Sequence, residues 1–371
     1  MRNLDIFTLI SLFLILVGCK VKHPIEKALE SNSDKISTVM NNLEPHEVQI
    51  LFSEIHQVNE DSISFQESSF QVDAANYFYP ASSVKFPIAI LALEKLSTMP
   101  LIDRDTEYLV EGDSVRSTIS EDIIKIFAVS DNEAYNRLFE FLGKDYINQK
   151  LDSKDIDARI SHRLSVENSA ELNYKSIAFY QNDSIVLTVK QDLNKPIIPL
   201  KLNRIEKGIG YTESDSLIEQ PMDFSKKNYL PLESLHGIMK RIIFPEHFPK
   251  KQQFYLTKAN REFLRNSMSI LPKEAGYTDT DYYDSYVKFL VFGDRKTDLP
   301  NHIKIYNKVG YAYGYLTDCA YIVNEKAEKS YIITATIHVN ENQIYNDGIY
   351  EYENVGIPFL AELGRTLINY E

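Results

Sequence analysis

"YPASSVKFPIAI", residues 79–90, sets a serine and a lysine three positions apart where a proline-led turn runs into an apolar stretch. From Ser82 to Leu96 the spacing of apolar residues predicts a helix, with Pro87 costing one backbone hydrogen bond near its start. Side chains three apart share a helix face, so Ser82 and Lys85 come within mutual reach. A second S-x-x-K, Ser285-x-x-Lys288, lies in "DSYVKFLVF", where alternation predicts a strand and sends the two side chains to opposite faces. Only the first pair is expected to act together. A serine hydroxyl is a weak nucleophile until a neighbour takes its proton, and a lysine withdrawn from water beside other cations has a pKa low enough to help. A helix N-terminus at Ser82 also offers backbone N–H groups to a developing oxyanion.

On the N-terminal side, Ile25 to Leu43 has the charge mix and spacing of a surface helix, and "VQILFSEIHQV" and "DSISFQ" alternate as strands around the turn-prone Asn59-Glu60-Asp61. On the C-terminal side, "SEDIIKIFAVS", with Ser120 as N-cap, and "EAYNRLFEFLG", stopped at Gly143, predict two more helices. Residues 174–229 break this run with a hairpin around Asn182-Asp183 and proline-punctuated segments, read as an insertion or elaborated loop. Helical spacing returns in "LPLESLHGIMKRIIF" and "TKANREFLRNSMSIL". Strand character then dominates in "SYVKFLVF", "HIKIYNKVGYAYGYL", "CAYIV" and "SYIITATIHV", and a helix from about Ile357 to Asn369 closes the chain. Strands and helices come in runs without regular alternation, which predicts an α+β fold: an antiparallel sheet shared by the first and last segments, flanked by the terminal helices, beside a helical subdomain.

With 371 residues, 44% of them hydrophobic, the chain can bury a sizeable core. Its formal net charge of -13 and the absence of a basic stripe exclude a general nucleic-acid role, because phosphate binding needs clustered Lys and Arg. The histidines are scattered with no H-E-x-x-H or Cys-His spacing, so no metal or other cofactor is implied. The acidic "TDTDYYD" at 278–284 lacks the glycine and distal glutamate of a calcium loop and reads as solvated. Cys319, in "TDCAYIV", reads as a small buried hydrophobe.

Two further matches accompany Ser82 and Lys85. Ser130-Asp131-Asn132 falls in the turn between two predicted helices, and Lys308-Val309-Gly310 falls on a late predicted strand. S-x-x-K, S-D-N and K-T-G in that order mark class A β-lactamases and penicillin-binding proteins. From about residue 24 to its C-terminus the chain resembles that superfamily of penicillin-recognising serine hydrolases. The resemblance implies that Ser82 attacks a carbonyl and becomes acylated, with Lys85 as base or proton relay. It implies that Ser130 passes a proton to the leaving group, that Asn132 orients Lys85 and binds a substrate amide, and that Lys308 supplies positive charge. Gly310 would leave room for substrate along the strand edge, and the backbone N–H groups of Ser82 and Tyr311 would form an oxyanion hole. Asp131 is expected to brace the loop. Singly, each residue has an ordinary structural account as a helix cap, a turn former or a solvated lysine; together, in this order, they point to a catalytic site.

Two departures bear on the chemistry. Val309 stands where K-T-G carries a threonine, so a hydroxyl that helps hold a substrate carboxylate is missing. Class A enzymes also carry an E-x-x-L-N loop whose glutamate activates the deacylating water; in "VENSAELN" the register places Ser169 there, with Glu167 and Glu171 close by as candidates for that base or as loop-bracing acids. His162 and Arg163 lie just upstream and read as structural.

The first residues are of another kind. Arg2, an uncharged run from Ile6 to Val17, then Gly18 and Cys19 suit a signal segment too short to span a bilayer comfortably. Leu16-Val17-Gly18-Cys19 resembles the lipobox of bacterial lipoproteins, in which the cysteine is lipidated and becomes the mature N-terminus; Asp5 departs from the usual n-region. The domain reading is therefore a signal and lipidation site over 1–19 and one hydrolase domain over 20–371, exported, facing the cell envelope and tethered to the membrane. The favoured reading is hydrolysis of a β-lactam or related amide through a Ser82 acyl-enzyme, on a small-molecule or peptide substrate. A D,D-peptidase-like or esterase-type acyl hydrolase with poor lactam turnover, and a non-enzymatic envelope binding protein, remain open beside it.

Overall fold

The expected helix from Ile25 to Leu43 is three short ones, α1 (Pro24–Leu29), α2 (Asp34–Met40) and α3 (Leu43–His46). Between the first two lie Ser31, Asn32 and Ser33, whose short polar side chains compete with the backbone for hydrogen bonds and favour turns. The structure, a computed structural model, describes residues 23–370 apart from 60–61, 168 and 191–192. The expected signal segment with Cys19, and Glu60 and Asp61 of the expected turn, lie outside the described residues. Strands β1 (Gln49–Asn59) and β2 (Ser62–Phe70) pair antiparallel, as their alternation predicts.

Next, a 3-10 turn over Ala81–Val84 feeds α4 (Lys85–Leu96). Pro87 falls in the first turn of α4, where helical N–H groups have few partners in any case, so the expected cost is small. After β3 (Glu107–Val110) come α5 (Ile119–Val129), α6 (Asn132–Leu142) and α7 (Lys144–Ser153). The N-cap of α5 is Thr118, not Ser120: Thr118 Oγ1 accepts from Glu121 N at 3.1 Å while Glu121 accepts from Thr118 N at 3.2 Å. This reciprocal pair satisfies two orphan donors at once. Ser120 instead donates to Asp105 at 2.6 Å. Gly143 ends α6, with φ 83°.

The segment 174–229 is stitched to the body at several points. Strands β4 (Ile177–Gln181) and β5 (Ser184–Val189) form a hairpin turned by Asn182 and Asp183, both at positive φ, and β4 adds to β3. Then β6 (Glu206–Lys207), β7 (Gly210–Glu213), β8 (Ser216–Ile218) and β9 (Met222–Asp223) form short ladders, β6 on β9 and β7 on β8. Helices α8 (Leu232–Ile243) and α9 (Lys258–Ser269) follow as expected.

Two expectations for the C-terminal strands need correction. "SYVKFLVF" is a run of buried turns, not a strand: Lys288 is buried and donates to Asn307 Oδ1 at 3.1 Å, so the polar residue in this apolar run serves an internal contact. "HIKIYNKVGYAYGYL" is a hairpin, β10 (Ile303–Ala312) and β11 (Tyr315–Asn324), turned by Tyr313 and Gly314 at positive φ. Strands β12 (Lys329–His338) and β13 (Ile344–Tyr345) and helix α10 (Ile357–Leu367) complete the chain. Within "TDTDYYD", Asp284 is buried and paired with Lys273 at 2.9 Å, while 278–281 are exposed.

The main sheet has the order β10-β11-β12-β1-β2, antiparallel throughout, so the first and last segments share it. One face packs on the terminal helices through Ile50, Ile322, Ile333, Leu360 and Leu363. The other packs on α8 and the helical subdomain of α4 to α7 and α9, through residues such as Tyr321, Ile332 and Leu235. Strands β11 and β12 are buried on both faces, which is why they read as nearly continuous apolar runs. The fold is α+β, with its antiparallel sheet flanked by N- and C-terminal helices. Among the described residues no helix is long and apolar enough to cross a membrane.

Candidate active site

Edge strand β10 runs directly against the turn that carries Ser82. A Cβ on Gly310 would lie 2.5 Å from Pro80 O, 2.6 Å from Ser83 N and 2.9 Å from Ser82 N, so only glycine permits the approach. The turn is held shut by Ser83, whose N and Oγ both donate to Pro80 O at 3.0 and 2.6 Å. Ala81 sits at φ 46°, a left-handed conformation that costs a residue with a Cβ about 1–2 kcal/mol and holds Ser82 at the lip of a cleft of about 560 Å³.

Behind Ser82 lie two buried lysines. Lys85, in the first turn of α4, is fully buried and donates to Ser130 O at 2.5 Å, Asn132 Oδ1 at 2.6 Å and Ser130 Oγ at 3.4 Å. Burial pushes its pKa down to about 7, against a smaller upward pull from the Asp131 carboxylate. Lys308, on β10, donates to Ser130 Oγ at 2.8 Å and to Val309 O at 2.7 Å. Its pKa also lies well below the ordinary lysine value, through burial first and then repulsion from Lys85, with Asp318 opposing.

The three residues between α5 and α6 reach this point because each ends or starts a helix. Ser130 is the left-handed C-cap of α5 at φ 57°, Asp131 is the N-cap of α6 and accepts from Ala134 N at 2.7 Å, and Asn132 opens α6. Asp131 therefore braces the loop, and the side chains on either side of it converge on Lys85. Lys85, Ser130, Asn132 and Lys308 are joined by hydrogen bonds here, and Ser82 lines the same cleft as Asn132.

Other expected residues are placed differently. The Val309 side chain is fully buried in the core with the terminal helices. Tyr311 is half-exposed and lines the cleft. Glu167 and Glu171 are exposed and line a separate cavity of about 820 Å³ instead of the cleft. Arg163 fixes that loop: it donates to the Glu140 carboxylate at 2.5 Å and to the carbonyls of Glu171 and Asn173 at 3.1 and 3.0 Å. His162 is buried, its ring accepting from Asn228 N at 3.1 Å, and burial pushes its pKa down to about 4. Ser169 lines neither side of the cleft; its carbonyl takes the Arg163 N–H. The serine that does is Ser165, at φ 53°, accepting from Asn132 Nδ2 at 2.9 Å. Its sequence signal was faint, since a left-handed serine four residues from the expected register has no motif.

Two features lie outside the motifs. Beneath β10, Asp318 accepts from Asn307 Nδ2 at 2.9 Å and from Leu290 N at 3.0 Å, and Lys288 donates to the same Asn307. Burial lifts the Asp318 carboxyl to about 6. The only sequence trace of this network is polar residues at inward positions of apolar strands. A second serine-histidine pair, Ser53 and His236 at 2.9 Å with Glu67 on Ser53 at 3.0 Å, is buried between α8 and the sheet, and burial pushes its histidine down to about 3. It lines neither the cleft nor the larger cavity and acts as a core polar network. Cys319 is fully buried, accepts from Thr334 Oγ1 at 3.2 Å, and is held as a neutral thiol by burial. Among the described residues no cluster of His, Cys, Asp and Glu has the form of a metal site.

The sequence of residues 25–191 matches the model of the β-lactamase enzyme family. No curated protein matches the chain. Among solved structures, a β-lactamase from Sphaerobacter thermophilus is similar with a TM-score of 0.51 and 11% identity, over 93% of this chain and 95% of that one. A β-lactamase from Xanthomonas campestris pv. campestris gives a TM-score of 0.47 and 13% identity, over 87% of this chain and 92% of that one. At such identity, the first likeness is one of fold.

Proposed function

We propose that the chain belongs with the β-lactamase-like, penicillin-recognising serine hydrolases, the family whose model matches residues 25–191, and that it is an exported serine acyl hydrolase that works through an ester on Ser82. The supporting observation is the hydrogen-bonded set behind Ser82, in which Lys85 and Lys308 meet at the Ser130 hydroxyl. In this reading the neutral amine of Lys85 takes the Ser82 proton as Oγ attacks the substrate carbonyl. The backbone N–H groups of Ser82 and Tyr311 hold the oxyanion. Ser130 passes a proton to the leaving nitrogen or oxygen as its bond to the acyl carbon breaks and takes in its place the proton that Lys85 accepted from Ser82, while Lys308 donates a hydrogen bond to the Ser130 oxygen. Water then attacks the ester, releasing the acid and restoring the Ser82 hydroxyl.

The cleft supports slow completion of that second step. Among the described residues its lining contains Ser82, Asn132 and Ser165 but no carboxylate to activate water, and Glu167 and Glu171 line the other cavity. This favours an acyl-enzyme that persists, and so a D,D-peptidase-like or esterase-type hydrolase over a fast β-lactamase. Leu16-Val17-Gly18-Cys19 supports lipidation at Cys19 and a place on the outer side of a membrane; Cys19→Ala should release the protein from the membrane fraction.

The test is the intact mass of the soluble form, beginning after Cys19, during incubation with a penicillin. The expected result is an adduct that forms slowly, persists for many minutes and is absent from Ser82→Ala. An adduct on Ser82→Ala would remove Ser82 as nucleophile, and turnover without accumulation would show fast deacylation from a base elsewhere.

A further inference from the structure

We propose that the acyl group accepted by this site is uncharged and bears an aryl ring, held against a wall of tyrosines beside Ser82. The proposal rests on the serine-hydrolase reading and goes on to name the substrate class. The cleft that Ser82 lines is walled also by Tyr79, Tyr311, Tyr313, Tyr350 and Tyr352. Among the described residues, none that lines it carries a charge. Lys85 and Lys308 lie buried beneath it, and two of the three Lys308 donors are engaged by Ser130 and Val309. A substrate carboxylate would therefore lose water without gaining an exposed cation, and Val309 offers it no hydroxyl.

The wall presents ring faces and edges. Tyr79 meets Tyr313 edge-on, with centroids 5.1 Å apart, and Tyr311 meets Tyr352 edge-on at 5.6 Å. Tyr350 lies 5.2 Å from Tyr352. Two of the hydroxyls are already committed, Tyr350 accepting from Asn346 N and Tyr352 from Gly314 N, both at 2.8 Å. An aryl group extends such an array by the same offset and edge-to-face contacts.

The wall is also pre-formed, and here residues 174–229 acquire a role without lining the cleft themselves. Strand β7 pairs in parallel with β13, Asn346 Nδ2 donates to Thr212 O at 2.9 Å, and Thr212 Oγ1 returns a hydrogen bond to Asn346 O. Gly208 lies so close that a Cβ there would sit 2.3 Å from Gln343 O. The segment thus clamps the loop that carries Tyr350 and Tyr352. A wall fixed before binding spends less of its contact energy on ordering itself.

The experiment compares p-nitrophenyl acetate, phenylacetate and 4-carboxyphenylacetate, following p-nitrophenol release and the mass of the Ser82 ester, each rate divided by that ester's hydroxide rate. The phenylacetyl ester should acylate Ser82 roughly tenfold or more faster than the acetyl ester, and the added carboxylate should reverse most of that gain. Tyr311→Leu should shrink the phenylacetyl-to-acetyl ratio several-fold, whereas Tyr311→Phe, which keeps the ring, should retain it. Equal acylation by acetyl and phenylacetyl esters, or a carboxylated ester that reacts fastest, would overturn the proposal while leaving Ser82 as nucleophile. If no ester acylates Ser82, the hydrolase reading fails, and saturation-transfer NMR with phenylacetamide then decides for the wall. Binding that Tyr311→Leu abolishes supports an aryl site; absence of binding overturns it.

Discussion

The floor and the wall of the cleft are built by opposite physics. At the floor, Lys85 and Lys308 are withdrawn from water and held by Ser130, Asn132 and main-chain carbonyls, so their protonation is set by burial and by each other. At the wall, neutral tyrosine rings stand on a loop that a second segment clamps from behind. The floor draws on S-x-x-K, S-D-N and K-V-G residues from three distant parts of the chain; the wall is largely residues 311–313 and 350–352 with Tyr79. The contrast implies that reaction and selectivity are separable here: changes to the floor should act on rate for every substrate, and changes to the wall on the choice among them.

The largest effect expected is at Lys85. Lys85→Met keeps most of the buried volume and removes the base, so acylation of Ser82 should fall by about 10²- to 10⁴-fold for acetyl and phenylacetyl esters alike. The same lysine sets a pH limb. Its pKa is lowered to about 7, so the neutral amine is present above that pH and lost below it. The acylation rate should therefore rise through pH 7, by about tenfold per unit on the acid side, and level off above. A limb that survives Lys85→Met, or a loss confined to one ester, would break the division between floor and wall.

Gly310→Ala comes next. Its Cβ would press on Pro80 O and the N–H groups of Ser82 and Ser83, so the turn must shift. Displacing a nucleophile by about 1 Å costs on the order of 10²-fold. Steady-state kinetics on the ester pair should show kcat/KM falling for both, with their ratio nearly kept. A change in the ratio instead would place Gly310 in substrate selection.

The floor was legible in the sequence because its residue types are dictated by local geometry. Ser82 sits in a 3-10 turn that runs into the helix opened by Lys85, Ser130-Asp131-Asn132 ends one helix and starts another, and Gly310 answers a close approach. The sheet was legible because β1, β2, β11 and β12 carry strand patterns of ordinary length. What escaped depends on contacts distant in sequence. Lys288 lies in a strand-like pattern but serves Asn307, nineteen residues away. The exception is local: Thr118 displaced Ser120 as the α5 cap because Glu121, three residues on, could reciprocate. Ser165 reached Asn132 through a left-handed turn that no motif marks. The wall was the least legible part, since tyrosines are spread along this chain and those that meet come from the stretch before the Ser82 turn, the β10–β11 hairpin and the loop after β13.

The pairing of β7 with β13 gives the smallest and most discriminating prediction. Gly208 stands at φ 71°, and a Cβ there would meet both Gln343 O and the Tyr345 ring, at 2.3 and 2.7 Å. Gly208→Ala should therefore cost about 1–3 kcal/mol of stability by overpacking and backbone strain, measured by denaturant unfolding. Its kinetic effect should be selective: the β13 loop shifts and Tyr350 and Tyr352 lose their fixed places, while Lys85, Ser130 and Lys308 keep theirs. The phenylacetyl-to-acetyl ratio should drop a few-fold, with the acetyl rate and the pH limb near 7 little changed. If both rates fell together, segment 174–229 would be supporting the floor as well, and the two regions would be one cooperative unit.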